Sequence, residues 1–142
     1  MRFELLQPES IEEAVSLLSA HRGEATVIAG GQSLLLMIRA GLVRPRVLVS
    51  LGRLKDLEGM TATSDGALRL GTLTTHRQIL TSNLSKEKAG VLVEAVGQIG
   101  STPVRNLGTI GGNLCHNEMG SDPPSALLAG RRTTAESFRQ CC

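Results

Sequence analysis

Two apolar runs constrain this chain more tightly than any other feature. "ATVIA" at residues 25–29 and "RVLVSL" at residues 46–51 do not alternate polar with apolar, so a strand built from either is covered on both faces. Between them stand two adjacent glycines, Gly30 and Gly31, then an apolar stretch that reads as a helix from Gln32 or Ser33 onward. Ahead of them, "FELL" reads as a short strand ended by Pro8. Ser10 and Glu13 match a capping box, in which each side chain satisfies an otherwise unpaired backbone N–H. Ile11, Ala14, Val15, Leu17 and Leu18 follow at helical spacing, which predicts an amphipathic helix over residues 10–20. The order strand, helix, strand, helix, strand predicts a small parallel sheet covered by helices.

After about Leu57 the pattern changes. "ALRLG" alternates and follows the turn signal Ser64-Asp65-Gly66, so it reads as an antiparallel strand. "THRQIL" suits a helical turn or two. Ala89, Leu92, Val93, Val96 and Ile99 form a helical stripe over residues 86–99, and a short helix is expected at residues 124–129. The expected fold class is α/β with α+β character. A small parallel lobe covers residues 1–56, and an incomplete antiparallel α+β lobe covers residues 57–142. The tail "GRRTTAESFRQCC", from about residue 130, fits neither strand nor helix and reads as a domain cut off before its last strands.

Composition narrows the function. Aromatic residues make up 1% of the chain, so single-strand nucleic-acid binding by ring stacking has nothing to stack on. The net charge is +2 and the basic residues are scattered, which argues against a nucleic-acid patch. Cys115, Cys141 and Cys142 form neither a disulfide framework nor a zinc or iron–sulfur spacing. The N-terminus lacks the apolar core of a secretory signal and no apolar run is long enough to span a membrane, so the expected location is cytoplasmic. No proton-transfer dyad and no metal site stand out.

Two glycine segments remain. "AGGQS" (Ala29, Gly30, Gly31, Gln32, Ser33) joins a strand to a helix through adjacent glycines, a layout that lets backbone N–H groups approach phosphate closely. It matches neither the G-x-G-x-x-G fingerprint nor a P-loop. A plain tight turn is the alternative. "TIGGN" (Thr109, Ile110, Gly111, Gly112, Asn113) is a second such segment, and Asp122 follows it. Two glycine loops and one acid suit a ligand with a diphosphate and a sugar; the alternative is two surface turns, with Asp122 capping a helix.

Together "FELLQPESIEEAVSLLS", "VIAGGQSLLLMI", "ALRLGTLTTHRQI" and "IGSTPVRNLGTIGGNLCHNEMGSDPPSALLA" resemble the FAD-binding medium subunit of molybdenum hydroxylases, the group of carbon monoxide dehydrogenase and xanthine dehydrogenase. The resemblance runs in order from Phe3 to about Ala129. It implies a two-lobed flavin domain with FAD between the lobes. It implies that both glycine segments cradle the diphosphate through backbone N–H groups, that Asp122 contacts the sugar, and that Ile99 packs on FAD. Ile99 reads equally as one more core residue of its helix. Gln32 stands where some distant FAD-binding oxidases carry a histidine that attaches to flavin; an amide cannot, so FAD is expected to be non-covalent. The implied partners are a molybdenum-cofactor large subunit and a [2Fe–2S] small subunit. The implied activity is that of an FAD-dependent oxidoreductase subunit passing electrons from the iron–sulfur subunit to an external acceptor.

The chain departs from the family pattern at Ser50, where Asp is usual, at Leu36, where Pro is usual, and after Ala129, where the family's domain continues. The alternative is a truncated, non-catalytic remnant or interaction module that does not hold FAD. His76 reads as a capping or packing residue, His21 as a surface residue and Cys115 as an apolar filler. His116 stands beside the second loop, either near flavin or exposed. Arg105 suits either an offset of diphosphate charge or a salt bridge that holds the loop.

Overall fold

The computed structural model describes residues 2–129, and the tail expected to be atypical lies outside them. The first unit is built from β1 (Glu4–Leu6), α1 (Ile11–Ala20), β2 (Ala25–Ile28), α2 (Leu34–Arg39) and β3 (Val47–Ser50). All three strands run parallel in the order β1-β3-β2, so the last strand in sequence lies in the middle. That explains the unbroken apolar run of β3: Val47, Leu48 and Val49 are 4%, 1% and 0% exposed. β1 and β2 have one neighbour each and are only partly covered.

The start of α1 is capped as expected on one side only. Ser10 Oγ accepts from Glu13 N at 3.1 Å, but the Glu13 carboxylate accepts from Glu9 N, at 2.8 Å, rather than from Ser10 N. Ala14 of α1 packs with Val47, Val49, Leu54 and Leu73 in the first core cluster.

A single 3-10 turn (Lys55–Leu57) leads to β4 (Met60–Ala62), which pairs antiparallel with β5 (Leu68–Leu70). Among the described residues this hairpin is the only antiparallel sheet, and everything after it is helical: α3 (His76–Thr81), α4 (Asn83–Lys88), α5 (Gly90–Gln98), α6 (Thr102–Leu107), α7 (Ile110–His116) and α8 (Asp122–Ala129). The molecule is thus a mixed α/β fold in which a parallel three-stranded sheet is joined to a small antiparallel one. The continuous helix predicted over residues 86–99 is two helices, because Ala89 leaves the helical region (φ −145°, ψ 50°) and serves as the C-cap of α4 and the N-cap of α5. α6 was not legible at all; Pro103 sits in its first turn, where the ring's fixed φ suits a helix start. Ile79, Leu92, Ala95, Val96, Ile110 and Ala126 form the second core cluster. No helix among the described residues is long and apolar enough to cross a membrane.

The central strand carries the first unit. Leu48→Ala is expected to destabilise the chain by about 2–5 kcal/mol, whereas Leu42→Ala, at a position 76% exposed, should stay within about 0.5 kcal/mol of wild type. Urea unfolding of both variants checks this.

Candidate functional site

β2 ends at Ile28 and the chain turns at once through Ala29, Gly30, Gly31, Gln32 and Ser33 into α2. This is the carboxyl end of a parallel sheet, where open α/β folds place ligands. Gly31 has φ +71°, a conformation a side chain would strain. Gln32 Nε2 donates back to Gly30 O at 3.2 Å and draws the loop tight. Among the described residues no acceptor takes the backbone N–H of Ala29, Gly30, Gly31, Gln32 or Ser33. α2 has no side-chain cap either. A cluster of such donors, partly open to solvent, is suited to an anion.

The second segment differs from its expected form. "TIGGN" is the first turn of α7 rather than a loop, and neither Gly111 nor Gly112 has a positive φ. Its N–H groups are already used: Ile110 N donates to Thr74 O (2.9 Å), Gly111 N to Thr72 O (2.8 Å), Gly112 N to Thr109 Oγ1 (3.1 Å) and Asn113 N to Thr109 O (3.0 Å). In the structure α7 spends these N–H groups on its own cap and on the turn that follows β5. What this segment retains is the Asn113 side-chain amide, whose Oδ1 accepts from Ser121 Oγ at 3.0 Å while its nitrogen has no acceptor among the described residues.

The two segments meet. A Cβ on Gly30 would overlap the carbonyl oxygen of Leu107 and stand 3.0 Å from Gly108 Cα. A Cβ on Gly112 would lie 3.7 Å from Ala29 Cβ. Gly111 presses on the other side, where a Cβ would stand 2.6 Å from Thr72 O and 2.7 Å from Thr72 Cβ. Each glycine thus has a distinct reason. Gly30 and Gly111 permit backbone-to-backbone contact, Gly31 supplies a left-handed turn, and Gly112 leaves room for the Thr109 hydroxyl that caps α7. Nothing in a single sequence marks the Leu107 carbonyl or Thr72 as their partners.

The remaining candidates disperse. Ile99 caps α5 and packs against the second core cluster. Asp122 is the exposed first residue of α8, in a depression it shares with Glu94, Gln98 and Ser125. Its neighbour Ser121 hydrogen-bonds to the second segment, donating to Asn113 Oδ1. Arg105 holds its loop through carbonyls rather than a salt bridge: Nη1 donates to Ile99 O (2.8 Å) and Gly100 O (3.1 Å). His116 lies 3.6 Å from Glu118, and Cys115 is exposed. His76, which follows the N-cap Thr75 of α3, is 3% exposed, and its Nδ1 is buried with no hydrogen-bond partner among the described residues. Burial lowers its pKa from 6.5 to about 4.

The same fold occurs in known proteins. The family described as the FAD binding domain in molybdopterin dehydrogenase matches residues 1–134. The alpha subunit of the 6-hydroxypseudooxynicotine dehydrogenase complex of Paenarthrobacter nicotinovorans is 35% identical over 138 residues, 96% of this chain and 46% of that protein. The carbon monoxide dehydrogenase medium chain of Hydrogenophaga pseudoflava is 34% identical over 128 residues, 90% of this chain and 44% of that protein. A solved carbon monoxide dehydrogenase from Hydrogenophaga pseudoflava, lacking the Mo-pyranopterin moiety, superposes with a TM-score of 0.88 at 33% identity, covering 91% of this chain and 45% of that one. The chain spans less than half the length of these relatives.

Two outcomes follow from the geometry. Gly30→Ala and Gly111→Ala, where a methyl meets backbone, should each lower unfolding stability by about 1–3 kcal/mol; Gly112→Ala, which disturbs only the Thr109 cap, should cost about 1 kcal/mol. Denaturant titration separates them. The His76 pKa is depressed on folding, so the unfolded chain binds the proton more readily. Stability should be full above pH 6.5 and fall as pH drops toward about 4. His76→Phe should remove that part of the acid slope in melts recorded across this window.

Proposed function

The chain belongs to the family of FAD binding domains in molybdopterin dehydrogenases, and from that membership we propose that it holds FAD without a covalent link. The observation that carries this reading is the run of unclaimed backbone N–H groups at Ala29, Gly30, Gly31, Gln32 and Ser33, set against the first turn of α7. The residues fit the group: the unclaimed donors suit diphosphate oxygens, and Gly31 supplies the left-handed turn that gathers them. In this reading the first segment binds the diphosphate directly. Thr109, Ile110, Gly111 and Gly112 act by holding their turn in place beside it, and Asn113 offers its amide. Asp122 is assigned to the sugar hydroxyls, and Ile99 to an apolar contact. Gln32 keeps its amide on the loop and offers no nucleophile for a covalent link. When bound, FAD supplies the redox chemistry, for which no side chain here substitutes.

The relatives are subunits of larger dehydrogenases, which extends the proposal to partners. The chain would work beside a molybdenum-cofactor large subunit and a [2Fe–2S] small subunit, in a path that carries electrons from the iron–sulfur centres to an external acceptor. Its share of the work is to bind, orient and shield the cofactor.

Equilibrium binding monitored by flavin fluorescence tests the diphosphate assignment. FAD and ADP should compete for one site, and riboflavin, which has no phosphate, should bind at least about tenfold more weakly, since each charge-assisted hydrogen bond contributes about 1.5–3 kcal/mol. Riboflavin binding as tightly as FAD would remove the role given to the first glycine segment. Absence of any flavin binding would favour a remnant that does not hold FAD.

A further inference from the structure

We propose that His76 is a positioning residue whose imidazole braces the turn at Gly108 and so sets the register between the two glycine segments. Gly108 has φ −62° and ψ 132°, which any residue adopts, so its backbone does not call for glycine. Its missing side chain is explained by what stands there: a Cβ would lie 3.0 Å from His76 Cδ2, 3.3 Å from His76 Nε2 and 3.0 Å from Val104 O. The ring edge occupies the space that glycine vacates. His76 N also donates to Gly108 O at 3.0 Å, so backbone and ring of one residue grip the same turn.

That turn lies between the two halves of the site. On one side the Leu107 carbonyl seats against Gly30 of the first segment. On the other, Thr109 pairs with Thr75, next to His76, and Ile110 N donates to Thr74 O. A flat ring placed edge-on to a glycine gives the segment less freedom to slide than a branched aliphatic side chain does. The inference rests on the FAD reading only for the purpose of that register; the bracing itself is independent of any ligand.

The experiment uses the whole chain with His76→Ala, His76→Leu and His76→Phe. Amide hydrogen exchange in ligand-free protein should show Ile110 and Gly111 losing protection by about tenfold or more in His76→Ala, while Leu48 in β3 keeps its wild-type value. His76→Phe should restore protection; His76→Leu, similar in bulk but not flat, should not. If His76→Ala does not fold, the contrast between Leu and Phe decides the matter alone. FAD titration should follow the same order, with the Ala or Leu variant at least about tenfold weaker than wild type and Phe close to it. Unchanged protection at Ile110 and Gly111, or loss shared equally with Leu48, would overturn the bracing role. Lost protection with unchanged FAD affinity would overturn the link to the site. If wild type binds no FAD but the exchange pattern holds, the bracing stands and the FAD reading falls.

Discussion

The contact on which this structure depends is the seating of the Leu107 carbonyl against the bare Cα of Gly30. It joins the loop that leaves the parallel sheet to the end of α6, and it does so through backbone atoms alone. Backbone contact of this kind is stiff. Its distance is set by van der Waals radii, not by a rotamer, and a single methyl group is enough to forbid it. Around it the other restraints fall into place: the Gly111 N–H to Thr72, the Ile110 N–H to Thr74 and the Thr109–Thr75 pairing. The loop after β2 is thereby held against a frame that its own short helix would not provide.

This division of labour separates the two glycine segments, which look alike on paper. Both are adjacent-glycine motifs flanked by hydrogen-bonding side chains. One keeps its donors unclaimed, and the other consumes them in a helix cap and in pairing with residues 72–74. The difference arises from tertiary neighbours. Whether a backbone N–H faces outward depends on what lies opposite, and the carbonyls opposite α7 come from a segment more than thirty residues earlier in the chain.

Much of the fold was legible because it rests on periodicity. The unbroken apolar run of β3 marked a strand buried on both faces, and the alternation around Leu68 marked a strand of the hairpin. The break at Ala89 was not legible, since alanine is a good helix former and the stripe runs on through it. α6 was hidden by its polar, proline-containing start. At the site, the first segment could be read as a tight strand-to-helix turn, because the chain enters and leaves it through recognisable elements. His76 could be read as a packing residue, but its partner could not, because nothing in "TTH" points to Gly108, more than thirty residues later.

The strand order has a consequence for how the molecule forms. Glu4 and Ala25 both align with Val47, and no hydrogen bonds link β1 to β2. During synthesis the first two strands therefore have no partner until β3 emerges, and the sheet closes by insertion of its centre. The loop carrying Gly30 and Gly31 precedes that strand, so it is made early yet gains its supporting strand late. Its final anchor, the carbonyl of Leu107, arrives later still. The turn with the unclaimed donors thus depends for its seat on a residue made more than seventy positions after it.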